Sequence, residues 1–539
     1  MDQHSGIMTS ASASDYIRRL QHYSRHDKNG NIYRPLANFL DTKTKKMRID
    51  ESVDEPSERC VWYMMVQSNI ATDMVPILSL SDLKSIESSS NFSACSGRLI
   101  FLRGFPSAKW LAILGHLYQV TPDVWRRHLD FLSQIGEGFF QVTSLPSWRS
   151  HVFHLRICSL GGWRNHWQFI KHSIEHLHRM AARDMESYRA SLGRADDWKQ
   201  GDSVVRRYMI HDKTYFSIEQ HVTVYMYHDR DTEPWTIIVL SDCGDDLDTK
   251  HHGPWVRFQD SKLFPTPRSD GDELLNTASW KQDFGNPNDH GLIEAKLSQS
   301  LSEIHVGYGK KLDPEGMAHN PFYAIYEIFL QCASAECQIL DMVTTMIEEH
   351  EIGQSSPKKD AADYEASHTQ LLHFQGFLEH RVESLRDILD IIRTHGKKPW
   401  AYPNERVAET VGKATDKLIE DFEYLLRRVH NLLRRIERTI SISMSLINME
   451  QAKRSIDQNM TLFRFTVVAS IYIPLSFTTS FFGMNFLEFG QGPLSIWVFF
   501  VASVPIFILS IFGLFIKRAW IEQLPARLGN KVTSWALRD

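Results

Sequence analysis

Polar and apolar positions keep no sustained period over residues 1–60, a Ser- and Lys-rich stretch that reads as a flexible N-terminal arm. The texture changes at Cys60. Short β-rich runs at 61–67, 98–102, 151–157, 222–228 and 235–241, bounded by Gly, Pro, Ser and Asp, predict strands. Apolar positions spaced by three and four at 108–118, 124–134 and 164–189 predict helices between them. Strands interleaved with helices predict an α/β domain over residues 61–310, with long loops in the Asp-, Gly-, Pro- and Asn-rich stretch 242–316.

Three helices are predicted next, forming a helical hairpin and stalk over 311–460. The first opens at Asn320-Pro321, runs to about residue 352, and carries Glu327, Glu336, Asp341, Glu348, Glu349 and Glu351 with no Lys or Arg. The second covers roughly 359–395 and ends at Gly396 and Pro399. The third begins near Val407 or Thr415, with an apolar stripe of Leu418, Phe422, Leu425, Val429, Leu432, Ile436, Ile440, Met444 and Ile447. Neither Gly nor Pro occurs from Lys413 until Pro474, so one helix can run on the order of 100 Å. Without partners its stripe would be exposed, which predicts self-association.

The strongest pattern lies at the C-terminal end. Residues 461–482 and 494–516 are two apolar runs of about 22 residues each, the length that crosses a hydrocarbon core. The second holds no charge, and the first holds only Arg464, near enough to its start to snorkel. A short loop, 483–493, joins them, so a transmembrane hairpin over 461–516 is predicted. Lys453, Arg454 and Arg464 precede or open the first span, and Lys517 and Arg518 follow the second, whereas the loop carries only the acid Glu488. That asymmetry predicts both termini, including a basic tail 517–539, on the cytosolic side.

Composition changes little in this picture. A net charge of −5 over 539 residues gives no electrostatic case for nucleic acid, and a mean hydropathy of −0.31 suits a soluble body with a small membrane part. The six cysteines are scattered outside the spans and the loop, which fits reduced thiols. No apolar signal-peptide core opens the chain. Asp2 and Asp15 argue against a mitochondrial presequence, while Arg18, Arg19 and Arg25 leave that membrane open. Walker A, G-x-S-x-G and G-x-G-x-x-G patterns are all missing, so neither an enzyme class nor a tightly bound cofactor is expected. His172-x-x-x-His176-x-His178 has a zinc-compatible spacing but neither the Glu of H-E-x-x-H nor a Cys pair, so surface histidines are the simpler reading.

The first span and its exit carry a resemblance. Phe465-Thr466-Val467-Val468-Ala469-Ser470-Ile471-Tyr472-Ile473-Pro474-Leu475-Ser476-Phe477, followed by Phe481-Phe482-Gly483-Met484-Asn485-Phe486, resembles the pore helix and signature of CorA-type magnesium channels. The long region ahead, including Phe101-Leu102-Arg103-Gly104-Phe105-Pro106 and His128-Leu129-Asp130, is similar to extended fungal CorA-like proteins. The resemblance implies a CorA-like homopentamer in a lipid membrane, its stalk helices lining an axial pore. The pore would pass hydrated divalent cations, Mg²⁺ first and Zn²⁺, Co²⁺ or Ni²⁺ as alternatives, down the membrane potential into the cytosol.

In that frame Gly483, Met484 and Asn485 are the expected external selectivity element. Rings of Asn485 side-chain oxygen would hold the ion with its water on, since Mg²⁺ gives up water reluctantly. Helical spacing back from Asn485 puts Ser480, Ser476, Ile473, Ala469, Phe465, Leu462 and Asn459 towards the axis. Ser476 and Asn459 would offer oxygen rings, and Leu462 and Phe465 an apolar gate. Glu488 would be the loop's one acid, and Lys517 and Arg518 would ring the inner mouth. Cytosolic Mg²⁺ closes the pore in the family; the candidates for that site are Asp242, Asp245, Asp246 and Asp248, or the acidic helix 321–352. The plasma membrane is the expected location, with the mitochondrial or vacuolar membrane as alternatives. The sparse loop and the bulk of Phe465 motivate a rival reading, a non-conducting CorA-like membrane scaffold or regulatory protein.

Overall fold

The computed structural model describes residues 3–26, 30–49, 60–67, 70–87, 95–132, 151–163, 173–194, 198–227, 234–244, 247, 253–255, 261–266, 299–354, 361–398, 400, 402–482 and 495–515. They divide into two compact units, Met1–Gly353 with Gln370–Arg438, and Gln354–Thr369 with Thr439–Asp539.

The first unit is built on an eight-stranded sheet. Its strands are β1 (Val61–Gln67), β2 (Val75–Pro76), β3 (Cys95–Arg103), β4 (Val152–Trp163), β5 (Arg207–Ile210), β6 (Tyr215–Tyr227), β7 (Trp235–Ser241) and β8 (Ser261–Leu263). They run in the order β2-β1-β3-β7-β6-β4-β8, with β5 beside β6. All pairings are antiparallel except β3 with β7, where Gly97 lies opposite Trp235 and Arg103 opposite Ser241. Every residue of β7 is buried, as the Trp-Thr-Ile-Ile-Val-Leu-Ser run requires of a strand covered on both faces.

Tyr63, Met65, Ile100, Leu102, Ile238 and Leu240 join one core. That core is shared with α1 (Gln3–His26), α2 (Arg34–Ile49), α4 (Ala108–Leu117), α5 (Pro122–His128) and α6 (Ile174–Arg194). A short α3 (Leu80–Glu87) supplies Leu83. The intervening strand positions are also buried: Phe101 packs edge-on against Tyr308, and Phe153 against Phe329. Residues 1–60 are therefore not a flexible arm where described. Ile17, Leu20, Leu36 and Leu40 are buried, Tyr16 donates to the carbonyl of Val120, and Gly115 leaves room for the Tyr16 ring.

The predicted helices follow. Asp313 caps the short α7 (Pro314–His319), accepting from the Gly316 N–H with Pro314 at the first position. The next long helix, α8 (Tyr326–Gln354), opens six residues after Asn320, because Asn320 instead accepts from the Tyr323 N–H and shapes a tight turn over Tyr323–Ile325. Then come α9 (Ala361–Ile391), closing in one π-turn over Ile392–Gly396, and α10 (Glu405–Phe482), opened by Asn404 accepting from Val407 N–H. Leu418, Phe422, Leu425, Val429, Leu432 and Ile436 of α10 are buried, as their spacing predicts.

In the second unit Thr439, Ser443 and Ile447 of α10 are buried while Met444 is exposed, so the covered face departs from the expected stripe there. Ser443 donates to the carbonyl of Tyr364 in the first turns of α9. The helix α11 (Ile496–Phe515) completes the unit. One described helix, α10, is long and apolar enough to cross a membrane; the described part of α11 is a shorter apolar helix.

Candidate functional site

The candidate site is the last third of α10. Six of the residues expected to line an ion path there, Asn459, Leu462, Phe465, Ile473, Ser476 and Ser480, are all exposed, Leu462 at 63%, Phe465 at 68% and Ile473 at 67%. With 3.6 residues per turn they occupy roughly 120° of the helix circumference. Across the helix, Val467 and Ser470 are half-buried and Pro474 and Thr478 are buried, again at spacings of three and four. The helix thus has one narrow stripe covered within its own unit and is bare around the rest, the expected ion-path positions included.

Most hydroxyls here are tied back to the helix, at covered and exposed positions alike. Thr461, Thr466, Ser470, Thr478 and Thr479 each donate to the carbonyl four residues back, the device that hides a hydroxyl from an apolar medium. Ser476 and Ser480, both exposed, make no such bond among the described residues. Gly483, Met484, Asn485 and Glu488 of the loop 483–493, and Lys517 and Arg518 of the tail, lie outside the described residues.

Several of the acids expected to hold a regulatory ion already have partners. Asp242 is buried: Arg206 donates to both its oxygens at 2.6 and 2.8 Å, and the His221 N–H donates at 2.7 Å. Burial alone would raise its carboxyl, but Arg206 holds it below the usual range. Asp245, Asp246 and Asp248 lie outside the described residues.

Four of the six acids of α8, Glu336, Asp341, Glu348 and Glu351, are met by arginines. Arg381 of α9 grips Glu336 through Nε and Nη2 and reaches Glu219 of β6 at 3.1 Å, all three buried. Burial works to raise Glu219, but His221 and Arg381 drive it down to about 2. On α10, Arg428 meets Asp341 and Arg435 meets Glu348 and Glu351. Both partners advance by seven residues together, so α8 and α10 run in the same direction. That matched heptad spacing of acids and arginines was the signal available in the sequence.

Burial also keeps His128 neutral, down to about 4 beside Asp242, and lowers His211 to about 3 and His373 to about 4. Among the described residues no group of three or more His, Cys, Asp or Glu side chains could hold a metal ion. His172 is outside them, and the Nε2–H of His178 donates to the carbonyl of Ile210.

Residues 309–518, from the loop before α7 through α8, α9, α10 and α11, match the family model described as CorA-like Mg²⁺ transporter protein. That stretch of the chain is similar to the CorA-like family. The exposed face of α10 lies inside this match, and the CorA family is one of ion transporters, not enzymes. Among solved structures, the CorA magnesium transporter from Methanocaldococcus jannaschii aligns with 86% of this chain and 98% of its own, at 12% identity and a TM-score of 0.31. No curated protein matches the chain.

Proposed function

We propose that the chain is a divalent cation channel of the CorA-like kind, with Mg²⁺ its first candidate ion. One observation carries the reading: within the matched residues, the last third of α10 is a long apolar helix that a single chain leaves bare, the positions expected to line a pore included. Leu462, Phe465 and Ile473 among them would be costly to leave in water, and a ring of copies brings them together. Five copies are the number the resemblance implies. Ser476 and Ser480 then present oxygens to the ion's hydration shell, and Leu462 and Phe465 form an apolar constriction that closes by dewetting. Asn485, beyond the end of α10, supplies neutral oxygens at the outer mouth. They hold a hydrated divalent without trapping it, as five carboxylates would.

The α10–α11 hairpin spans the membrane, with Lys517 and Arg518 inside and Glu488 outside; the plasma membrane is the proposed location. The potential supplies the force, since a divalent crossing 100 mV gains roughly 4–5 kcal/mol. The test is Mg²⁺ uptake into proteoliposomes under an inside-negative potential, wild type beside Asn485→Ala. Potential-driven uptake lost in the variant supports the channel and its filter. Wild-type vesicles no better than empty ones, with Mg²⁺ and Zn²⁺ alike, would favour the non-conducting scaffold.

A further inference from the structure

Within the first unit, α9 and α10 run antiparallel along a shared seam. Arg393 of α9 meets Glu423 of α10 at 2.6 Å, and Arg386 meets His430 at 3.2 Å. Both contacts obey one register, which sets Asp390 level with Arg427 and Glu383 level with Arg434 to within one residue. These four side chains stand three or four residues from the seam residues, so helical spacing turns them outward by roughly 40–60°. Glu379 and Glu437, seven residues from Arg386 and His430, belong to the seam instead.

The outer faces carry opposite charge. Glu383, Asp387 and Asp390 of α9 are exposed, and no cation pairs with them among the described residues. Arg427, Arg434 and Arg438 of α10 are exposed too; Arg427 reaches only Glu423 of its own helix, at 3.6 Å, and Arg434 donates to Asn431. The α9 face has a second peculiarity. Gly376, seven residues before Glu383, is exposed, and a Cβ there would meet nothing within 4 Å. A glycine inside a helix costs stability, and the chain's own packing does not call for one here. What it supplies is room for a second helix to come close. Leu372, one turn away on the same face, is 48% exposed.

We propose that this outer face of α9 docks on the arginine face of α10 in a second copy of the chain, Glu383 meeting Arg434 and Asp390 meeting Arg427. The inference rests on the assembly proposed above for α10. In a ring whose axis runs along α10, rotation from one copy to the next leaves height unchanged, so side chains level within one chain are level between neighbours. The acids and the arginines each advance by seven residues, as do Asp341 and Glu348 with Arg428 and Arg435 inside the chain. Exposed pairs of this kind add little strength each, but they fix register and choose the partner.

The test compares assembly of the full chain in detergent, read by mass photometry over a range of concentrations, for wild type and two variants. One carries Glu383→Arg with Asp390→Arg, the other Arg427→Glu with Arg434→Glu. All four positions are exposed, and unfolding midpoints establish that both variants fold. Each variant alone sets like charges face to face and should need roughly tenfold more protein to assemble at low salt, a difference that shrinks as salt rises. Co-expression of the two variants restores opposite charges between neighbours but not within a chain, so assembly should return towards wild type. Variants that assemble as wild type does, or a loss that co-expression does not repair, would overturn the interface. A wild type that stays monomeric at every concentration would overturn the assembly itself, and this interface with it.

Discussion

The sheet-based unit and the last third of α10 solve opposite problems. In the first, charge is inside and answered: Arg381 lies between Glu336 and Glu219, and Arg206 holds Asp242. In the second, apolar side chains are outside and unanswered, with Leu462, Phe465 and Ile473 on one bare face. A chain that satisfies buried ions so fully has no reason to leave such a face open unless lipid and further copies complete it. The buried charges of the first region therefore read as finished within one chain and the second region as a component of an assembly.

Removing an answered charge should break the comparison hardest. Arg381→Ala strands two buried carboxylates and should cost roughly 3–5 kcal/mol, seen in urea unfolding of the full chain in detergent. Removing Glu336 along with Arg381 should cost less than the sum of the single changes. Acid comes next. The folded-state values of His128 and His373, about 4, and of His211, about 3, lie below the ordinary 6.5, so the unfolded chain takes up these protons first. Stability present above pH 6.5 should drain as pH falls towards 4, with His128 alone accounting for on the order of 3 kcal/mol. Unfolding midpoints at stepped pH in chelator check this; stability flat across that window would contradict it.

Backbone packing gives a smaller effect. Gly104 has a φ of +68°, and a Cβ there would lie 2.3 Å from the Gly201 carbonyl oxygen, so Gly104→Ala should destabilise by roughly 1–3 kcal/mol. The least should come from Arg428→Ala, whose partner Asp341 is 65% exposed, at under about 1 kcal/mol. A large loss there would mean that the α8–α10 pairs matter more than solvent-screened ions should.

Much of this was legible in the sequence. Strands 61–67 and 235–241 have the expected bounds, because polar or turn-forming residues close each apolar run. By contrast, β4 runs on to Trp163 through Gly161-Gly162, past the expected end at residue 157. Gly161 is there because the Phe216 ring occupies the space its side chain would need. The N-terminal helices were missed because their apolar residues are few and their burial comes from distant partners such as α4. The partners of the acidic helix were legible only through the seven-residue spacing that Asp341 and Glu348 share with Arg428 and Arg435, since a run of acids by itself looks the same whether solvated or paired.

The most direct test of the central claim sets the two faces of α10 against each other, using Ser476→Cys and Val467→Cys in the Mg²⁺ uptake assay. The helix has no native cysteine, so wild type reports any background effect of the reagent. A water-soluble, membrane-impermeant thiol reagent should block uptake through Ser476→Cys and leave Val467→Cys unchanged. Block at Val467→Cys with Ser476→Cys untouched would contradict the assignment of the bare face to the ion path.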